Sequence, residues 1–134
     1  MSDYLKQVVL NCLLNGAAWP SLPSVWLGLA VDSAFTDSSY ASEATGGGYA
    51  RKQLTAAFTV ADAGGGQWQA KNTAGIAFVE ATGAWGLIVG WGFFDANVAG
   101  NLLPHGAWDT PRQVYIGNIF YVEPGELTIE FKYP

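Results

Sequence analysis

Residues 84–95, AWGLIVGWGFFD, constrain the fold of this chain more than any other stretch. Alternate residues of a strand point to opposite faces, and here neither the face with Leu87 nor the face with Ile88 is polar. A strand without a polar face is buried on both sides, and its three glycines let another backbone or an aromatic ring approach closely. The stretch is therefore the middle of a sandwich or a subunit interface. The predicted core or oligomer contacts are Trp85, Trp91, Phe93 and Phe94.

The rest of the chain from residue 25 onward reads as short strands separated by turns. Seventeen Gly and six Pro supply the turns, among them DAGGG, DANVAGN and EPGE. The last strand alternates, with Leu127, Ile129 and Phe131 pointing inward. Seven to nine short strands in one domain predict an all-β fold, an antiparallel and jelly-roll-like β-sandwich. The predicted strands are 25–31, 49–60, 67–71, 74–81, 84–95, 102–108, 114–122 and 127–133, of which 49–60 is either one strand or two joined by a kink.

The first sixteen residues hold the one good helix candidate. Ser2 or Asp3 can cap it, and Asn15 with Gly16 is a plausible stop. We therefore divide the chain into a helix with an extended arm over 1–24 and a single sandwich domain over 25–134. The residues on the apolar stripe of the helix are Leu5, Val8, Val9, Cys12 and Leu13.

Charge and cysteine content exclude several classes of protein. The formal net charge is −5 and the six cations are scattered, so neither nucleic acid nor an anionic membrane is an expected partner. One cysteine permits no intrachain disulfide. The N-terminal stretch is no signal peptide, because Lys6, Gln7 and Asn11 interrupt its apolar residues. We expect synthesis in the bacterial cytoplasm.

The stretch ATGGGYARKQL, residues 44–54, raises the question of a phosphate site. A phosphate-binding loop needs a helix after its lysine, and here a strand is predicted instead. The glycines Gly46 to Gly48 are better explained as the end of an exposed, adaptable loop over 32–48 and the start of a strand.

No catalytic, cofactor-binding or metal-binding residue is predicted, and we expect no enzyme. His105 is the one histidine, and the chain has no Gly-x-Ser-x-Gly nucleophile motif that it could activate. We expect His105 at an edge or an interface. The carboxylates fall in turns or on polar strand faces, where solvated side chains are common. A calcium site could be placed around Asp32 and Asp37, or around Asp95 and Asn97. Neither group has the repeated spacing of oxygen ligands found in a calcium loop.

The six tryptophans divide into two predicted groups. Trp68, Trp85 and Trp91 have core-like neighbours along the chain. The aromatic residues expected to be exposed and free to contact a partner are Trp19, Trp26, Trp108 and Tyr40.

Several motifs in a fixed order resemble a family of small tailed-bacteriophage structural proteins, commonly labelled tail fibre proteins. The resemblance covers about residues 3–131, and none of its motifs is catalytic. The motifs are SEATGGGYARKQL, ATGAWG with GFFDA, GNLL with GA, and VEPGELTIEF.

The resemblance implies a virion component. We favour a capsid decoration, or cement, protein that binds the major capsid protein from outside, with a homotrimer as the expected oligomer. The alternative is a tail fibre or tail-tip module that binds tail proteins and a host receptor, such as a glycan. In the decoration role we expect the helix and the arm to dock. The predicted docking residues are Leu5, Val8, Val9, Cys12, Leu13 and Trp19.

Overall fold

The computed structural model describes residues 1–19, 24–54, 58–64 and 67–131. It contains one helix, α1 (Asp3–Leu14), followed by strands. The strands are β1 (Val25–Val31), β2 (Lys52–Leu54), β3 (Phe58–Gly64), β4 (Gln67–Asn72), β5 (Ile76–Ala77), β6 (Gly86–Phe94), β7 (Leu102–Val114), β8 (Tyr121–Val122) and β9 (Thr128–Phe131).

The strands form three antiparallel sheets. A four-stranded sheet has the order β2-β1-β6-β7, a three-stranded sheet has the order β3-β4-β9, and β5 pairs with β8. This confirms the predicted all-β, sandwich-like fold with a single short N-terminal helix. The side chain of Phe131, predicted to point inward, lies outside the described residues.

Strand β6 lies in the middle of the larger sheet, as its apolar composition predicted. The prediction of strict alternation along it is wrong, because the pairing with β1 shifts between Ala30 and Val31, whose partners Gly90 and Ile88 leave Val89 as an extra residue on β6. A bulge of this kind inserts one residue and changes which side chains share a face. Ile88 and Trp91 therefore enter the same core cluster, while Leu87 remains 37% exposed.

Strand β7 is longer than the sequence predicted. It continues from Leu102 to Val114 through the DTPRQ stretch, which we expected to separate two strands. Its two prolines are compatible with this because β7 is the last strand of its sheet, where a missing N–H costs no ladder bond. Two other strands are shorter than predicted. The predicted strand 114–122 is reduced to β8, which follows a turn, and the predicted strand 74–81 is reduced to β5.

The core forms two clusters on either side of the larger sheet. The main cluster includes Leu27, Leu29, Ile88, Val122 and Leu127. A smaller cluster joins Ala30, Phe35, Phe94 and Leu102. Phe35 comes from the loop 32–48, so that loop is packed against the body and the expectation of an adaptable, exposed element is wrong there.

The β3–β4 hairpin extends beyond the core. Phe58 packs against the main cluster, but every later residue of β3 is exposed. Trp68, which was expected in the core, is more than half exposed for this reason. The predicted DAGGG turn begins later than expected, because β3 continues to Gly64, and residues 65–66 lie outside the described part of the chain.

One buried amide organises the C-terminal turn. Asn72 accepts a hydrogen bond from the backbone N–H of Leu127 at 3.0 Å and donates to the carbonyls of Ala74 and Glu123 at 2.8 and 2.9 Å. The predicted EPGE turn is confirmed, with the Glu126 N–H bonded to the Glu123 carbonyl and Gly125 at a φ of 81°.

Candidate functional site

Helix α1 begins with a built cap that also joins it to the sandwich. The Ser2 side chain accepts a hydrogen bond from the Leu5 N–H, as an N-cap does, and Ser2 is buried. The same hydroxyl donates to the carbonyl of Leu102, the first residue of β7. At the other end Asn15 is the C-cap and Gly16 has a φ of 67°, so both predicted boundaries are confirmed.

Asp37 is the centre of a charged cluster that holds the first turns of α1. Its carboxylate binds the Lys6 ammonium and lies 2.8 Å from Nε2 of His105, and its carbonyl accepts from the Asp3 N–H. The hydrogen bonds from Lys6 and then His105 lower the pKa of Asp37 to about 2, because they favour the ionised carboxylate. His105, on the edge strand β7, therefore has a structural partner in Asp37.

The last turns of α1 project their apolar side chains away from the body. No residue of the helix is fully buried. Leu10, Leu13 and Leu14 are all more than half exposed, with Leu13 at 75%, and Trp19 beyond the helix is 58% exposed. The spacing i, i+3 and i+4 places the three leucines on one face. Exposed apolar faces of this kind are common at protein contact surfaces.

The predicted docking residues divide along the helix. Those nearer the anchored end or facing the body are half-buried, and Cys12 carries a free thiol. The exposed ones are at the far end. The half-buried group is Leu5, Val8, Val9 and Cys12, and the exposed group is Leu13 and Trp19. The docking residues predicted from the sequence did not include Leu10 and Leu14, although the same helical periodicity identifies them.

The predicted contacts of β6 belong to the core of this chain. Trp85, Trp91 and Phe94 are buried, and Phe93 is half-buried against the main cluster. The glycines of the strand give the close approaches that were predicted. A Cβ on Gly92 would lie 2.7 Å from the Phe35 ring.

Three aromatic side chains predicted to be exposed are placed differently by the structure. Trp108 is only 7% exposed, so the prediction that it is free on the surface is wrong. It packs against Trp91 and Phe120, because the uninterrupted course of β7 keeps it on the inner face. Trp26 and Tyr40 are half-buried against the Phe94 cluster. Of the four candidates, only Trp19 is largely exposed.

The Gly-rich stretch 44–54 builds an internal network. The guanidinium of Arg51 binds both carboxylate oxygens of Glu43, through Nε at 2.7 Å and Nη2 at 2.8 Å. Its Nη1 donates to the carbonyls of Ala96 and Ala99 at 2.9 and 2.7 Å, and its Cζ atom lies 3.5 Å from the centre of the Phe94 ring. Arg51 thus fastens the turn after β6 to the segment before β2.

The same network fixes backbone that would otherwise be unfavourable. Ala99 has a φ of 54°, a left-handed conformation that costs a non-glycine residue about 1 kcal/mol. Besides the bond from Arg51, the turn is closed by Asp95, which accepts from the Asn101 N–H at 2.7 Å and from its side chain at 2.9 Å. Asp95 therefore acts as a turn cap, and it was a suggested calcium ligand.

The glycines of this stretch permit a close backbone contact. Gly47 has a φ of 56°, and a Cβ there would lie 2.5 Å from the Gly83 carbonyl oxygen. Its own carbonyl accepts from the Trp85 indole at 2.8 Å. The motifs GGGYAR and ATGAWG thus pack on each other. A strand, β2, follows the loop, which agrees with the rejection of a phosphate cradle.

Within the described ranges, no group of three or more His, Cys, Asp or Glu side chains could hold a metal ion. Over the same residues, no helix has the length and apolar character needed to cross a membrane.

The described fold and surface define a small antiparallel β module with a projecting amphipathic helix. A model of the protein family described as podophage GP4 fiber I protein gp80 matches residues 1–130. The chain belongs to this family, which confirms the resemblance to phage tail fibre proteins. It is a bacteriophage fibre-related structural protein and, as such, a virion component. No curated protein matches the sequence.

Proposed function

We propose that this chain is a virion subunit that attaches to another virion protein through α1 and presents its sandwich outward. One observation carries the proposal: α1 is fixed to the body at its first turns and exposes the leucines of its last turns. A helix held in this way is oriented before it binds, so docking requires little additional ordering.

The exposed face is large enough to contribute a useful binding energy. Full burial of a leucine side chain is worth about 2 kcal/mol. Leu10, Leu13, Leu14 and Trp19 together therefore supply several kcal/mol against the cost of association. Amphipathic helices commonly dock in this manner, by laying an apolar face into a groove of the partner.

The location that the family description supports best is the fibre or tail machinery, with tail proteins as partners. A capsid decoration role is the second candidate. It is favoured by the sequence itself, which has no fixed-period repeat of the kind that builds a fibre shaft. In that role α1 would bind the major capsid protein and stabilise the assembled shell by mass action. For both locations we propose a homo-oligomer, with a trimer as the favoured state.

We propose a binding role and not a catalytic one. In the described part of the chain, the charged groups with resolved partners form ion pairs that stabilise the fold. Arg51 holds Glu43, Asp37 holds Lys6 and His105, and Arg112 holds Glu126.

The attachment surface is tested with a pair of matched variants. Leu13→Asp places a charge on the exposed face of α1, and Val60→Asp places the same charge on an equally exposed apolar position of β3. Both variants should fold, since neither side chain is buried. We expect Leu13→Asp to lose binding to virions stripped of the protein and Val60→Asp to keep it. Equal binding by both variants contradicts attachment through α1.

The location is tested by cryo-electron microscopy of stripped particles to which purified protein has been returned. Density at the tail or its fibres supports the first candidate. Density at regular sites over the shell supports decoration instead, and the symmetry of the sites in either location gives the oligomeric state.

A further inference from the structure

An open trough of about 680 Å³ lies between β7 and β9, the strands at the facing edges of the two larger sheets. It continues into a second recess of about 480 Å³ near the N-terminus, and the two share Trp91, Gly106 and Thr128. Neither the exposed leucines of α1 nor the Arg51 network lines this surface, and the second recess is lined by Met1 and His105 beside the anchored start of α1. Its size is that of a site for an extended small ligand.

Tryptophan edges form part of the floor of the trough. The rings of Trp91 and Trp108 lie 6.4 Å apart, tilted by 57°. Trp91 can lie directly against β7 because Gly106 has no side chain, and a Cβ there would be 2.7 Å from its ring. The buried indole N–H of Trp108 has no acceptor within the described part of the chain. A buried donor without a partner is unfavourable, and this one belongs to a side chain that lines the trough.

The walls of the trough are rows of hydrogen-bonding side chains. Gln69 and Lys71 stand two apart on β4, and their cross-strand partners on β9 are Glu130 and Thr128. Asp109 faces them from β7. Donors and acceptors thus line both sides of a floor that is partly apolar. This combination suits a ligand with an apolar ring face and a rim of hydroxyl groups.

The charge of the trough narrows the class of ligand further. Three carboxylates line it, those of Asp109, Glu126 and Glu130, against the single ammonium of Lys71. Glu126 is paired with Arg112, so the carboxylates still outnumber the cations. Like charges in close proximity repel, so nucleic acid and acidic polysaccharides are disfavoured. An added peptide strand is disfavoured on β7 because Pro104 and Pro111 offer it no N–H donors.

We propose that this trough binds a neutral oligosaccharide along its length. The glycan is recognised by hydrogen bonds from the polar rows and by contact of sugar rings with the tryptophan edges. The site is distinct from the attachment surface, so the inference stands or fails separately from docking through α1.

The indole N–H signals of the protein in solution test the proposal directly by NMR. The probes are length series of N-acetylglucosamine oligomers, which represent cell-wall chemistry, and of glucose and mannose oligomers, which represent neutral outer polysaccharide. Oligogalacturonate tests the binding of an anionic polysaccharide, and an unstructured peptide of mixed sequence tests the binding of a peptide. Trp108→Phe identifies the Trp108 signal by its disappearance.

We expect at least one neutral series to shift the Trp91 and Trp108 signals, with affinity rising with length. The Trp85 signal should stay in place, because its N–H is bound to Gly47 away from the trough. Oligogalacturonate should bind at least tenfold more weakly. The neutral series that binds identifies the source of the glycan. Absence of shifts with every neutral series, or equally tight binding of oligogalacturonate or of the peptide, overturns the proposal.

A matched pair of variants tests whether the trough itself is the site. Thr128→Val removes a hydroxyl from the trough, and Thr59→Val makes the same change on the exposed part of β3. The loss of one hydrogen bond predicts about fivefold weaker glycan binding for Thr128→Val and no change for Thr59→Val. Equal affinities of the two variants contradict the assignment of the site.

Discussion

Replacement of Arg51 by methionine should destabilise the chain more than any surface change. The substitution removes four hydrogen bonds, two to the Glu43 carboxylate and two to the carbonyls of Ala96 and Ala99. Loss of one partner from a buried ion pair costs about 3–5 kcal/mol, because the other charge stays buried. The Glu43 side chain is 17% exposed and keeps the Tyr49 hydroxyl as a donor, so we place the loss at about 3 kcal/mol, the lower end of that range.

Urea unfolding, followed by tryptophan fluorescence, measures this loss. For a domain of this size, about 3 kcal/mol corresponds to a drop in Tm of roughly 10 °C. Arg112→Met is the control, because Arg112 also pairs with a carboxylate, Glu126 at 3.2 Å, but is about one-third exposed. Exposed ion pairs contribute at most about 1 kcal/mol. Arg112 also donates an exposed hydrogen bond to the Tyr121 carbonyl at 2.7 Å, worth about 1 kcal/mol. The control should therefore lose less than Arg51→Met.

A double variant separates the ion pair from the packing of Arg51 on Phe94. In the Arg51→Met background, Glu43→Gln removes the unpaired charge and should recover part of the lost stability. If Arg51→Met costs less than about 1 kcal/mol, or no more than Arg112→Met, the claim that this network holds the loops together is refuted.

Three further changes have outcomes that the structure specifies. Asp37→Asn should lower Tm near neutral pH, and the difference from the parent chain should close as pH falls from about 4 to about 2. The pKa of Asp37 is lowered to about 2, so its contribution is present above its ordinary value of 3.8 and is lost as pH falls through about 2. Gly47→Ala should destabilise the fold by more than 2 kcal/mol in urea unfolding, since its Cβ would meet the Gly83 carbonyl, while Gly46→Ala should lose only about 1 kcal/mol to backbone strain. Tyr49→Phe should cost about 1–3 kcal/mol in the same assay, because its hydroxyl is bonded on both sides in a largely buried position.

For each of these three predictions, one experimental result would contradict the stated cause. A Tm difference for Asp37→Asn that persists unchanged at pH 2 would show that its ion pairs are not the cause. Equal losses for Gly47→Ala and Gly46→Ala would mean that the contact with Gly83 is not tight. An unchanged midpoint for Tyr49→Phe would mean that water replaces its hydroxyl.

Local signals in the sequence predicted the parts of the fold that depend on neighbouring residues. The ends of α1 followed from a capping serine and a terminal glycine, and the EPGE turn followed from its proline and glycine. The central place of β6 followed from its lack of a polar face. These features depend on steric and hydrogen-bonding preferences within a few residues, so they can be read without the tertiary structure.

Long-range contacts account for what the sequence did not reveal. The DTPRQ stretch was expected to separate two strands, but a strand at the edge of a sheet accommodates its proline. Trp108 was expected on the surface because the continuity of that strand was not foreseen. The bond between Arg51 and the Ala99 carbonyl joins residues 48 positions apart, and no periodicity predicts it. The apolar face of α1 was predicted in part, since its stripe is periodic, but its exposure depends on which side of the helix the sandwich leaves uncovered.

The most direct test of attachment through α1 is thiol labelling of the free protein and of the assembled virion. In a Cys12→Ser background the chain has no other cysteine, so a single new thiol can be placed at Leu13 or, as the control, at Thr59. Both positions are exposed in the free protein. We predict that Leu13→Cys is labelled rapidly in the free protein and protected in the virion, while Thr59→Cys is labelled in both. Labelling of Leu13→Cys at the same rate in the virion and in the free protein would contradict the account.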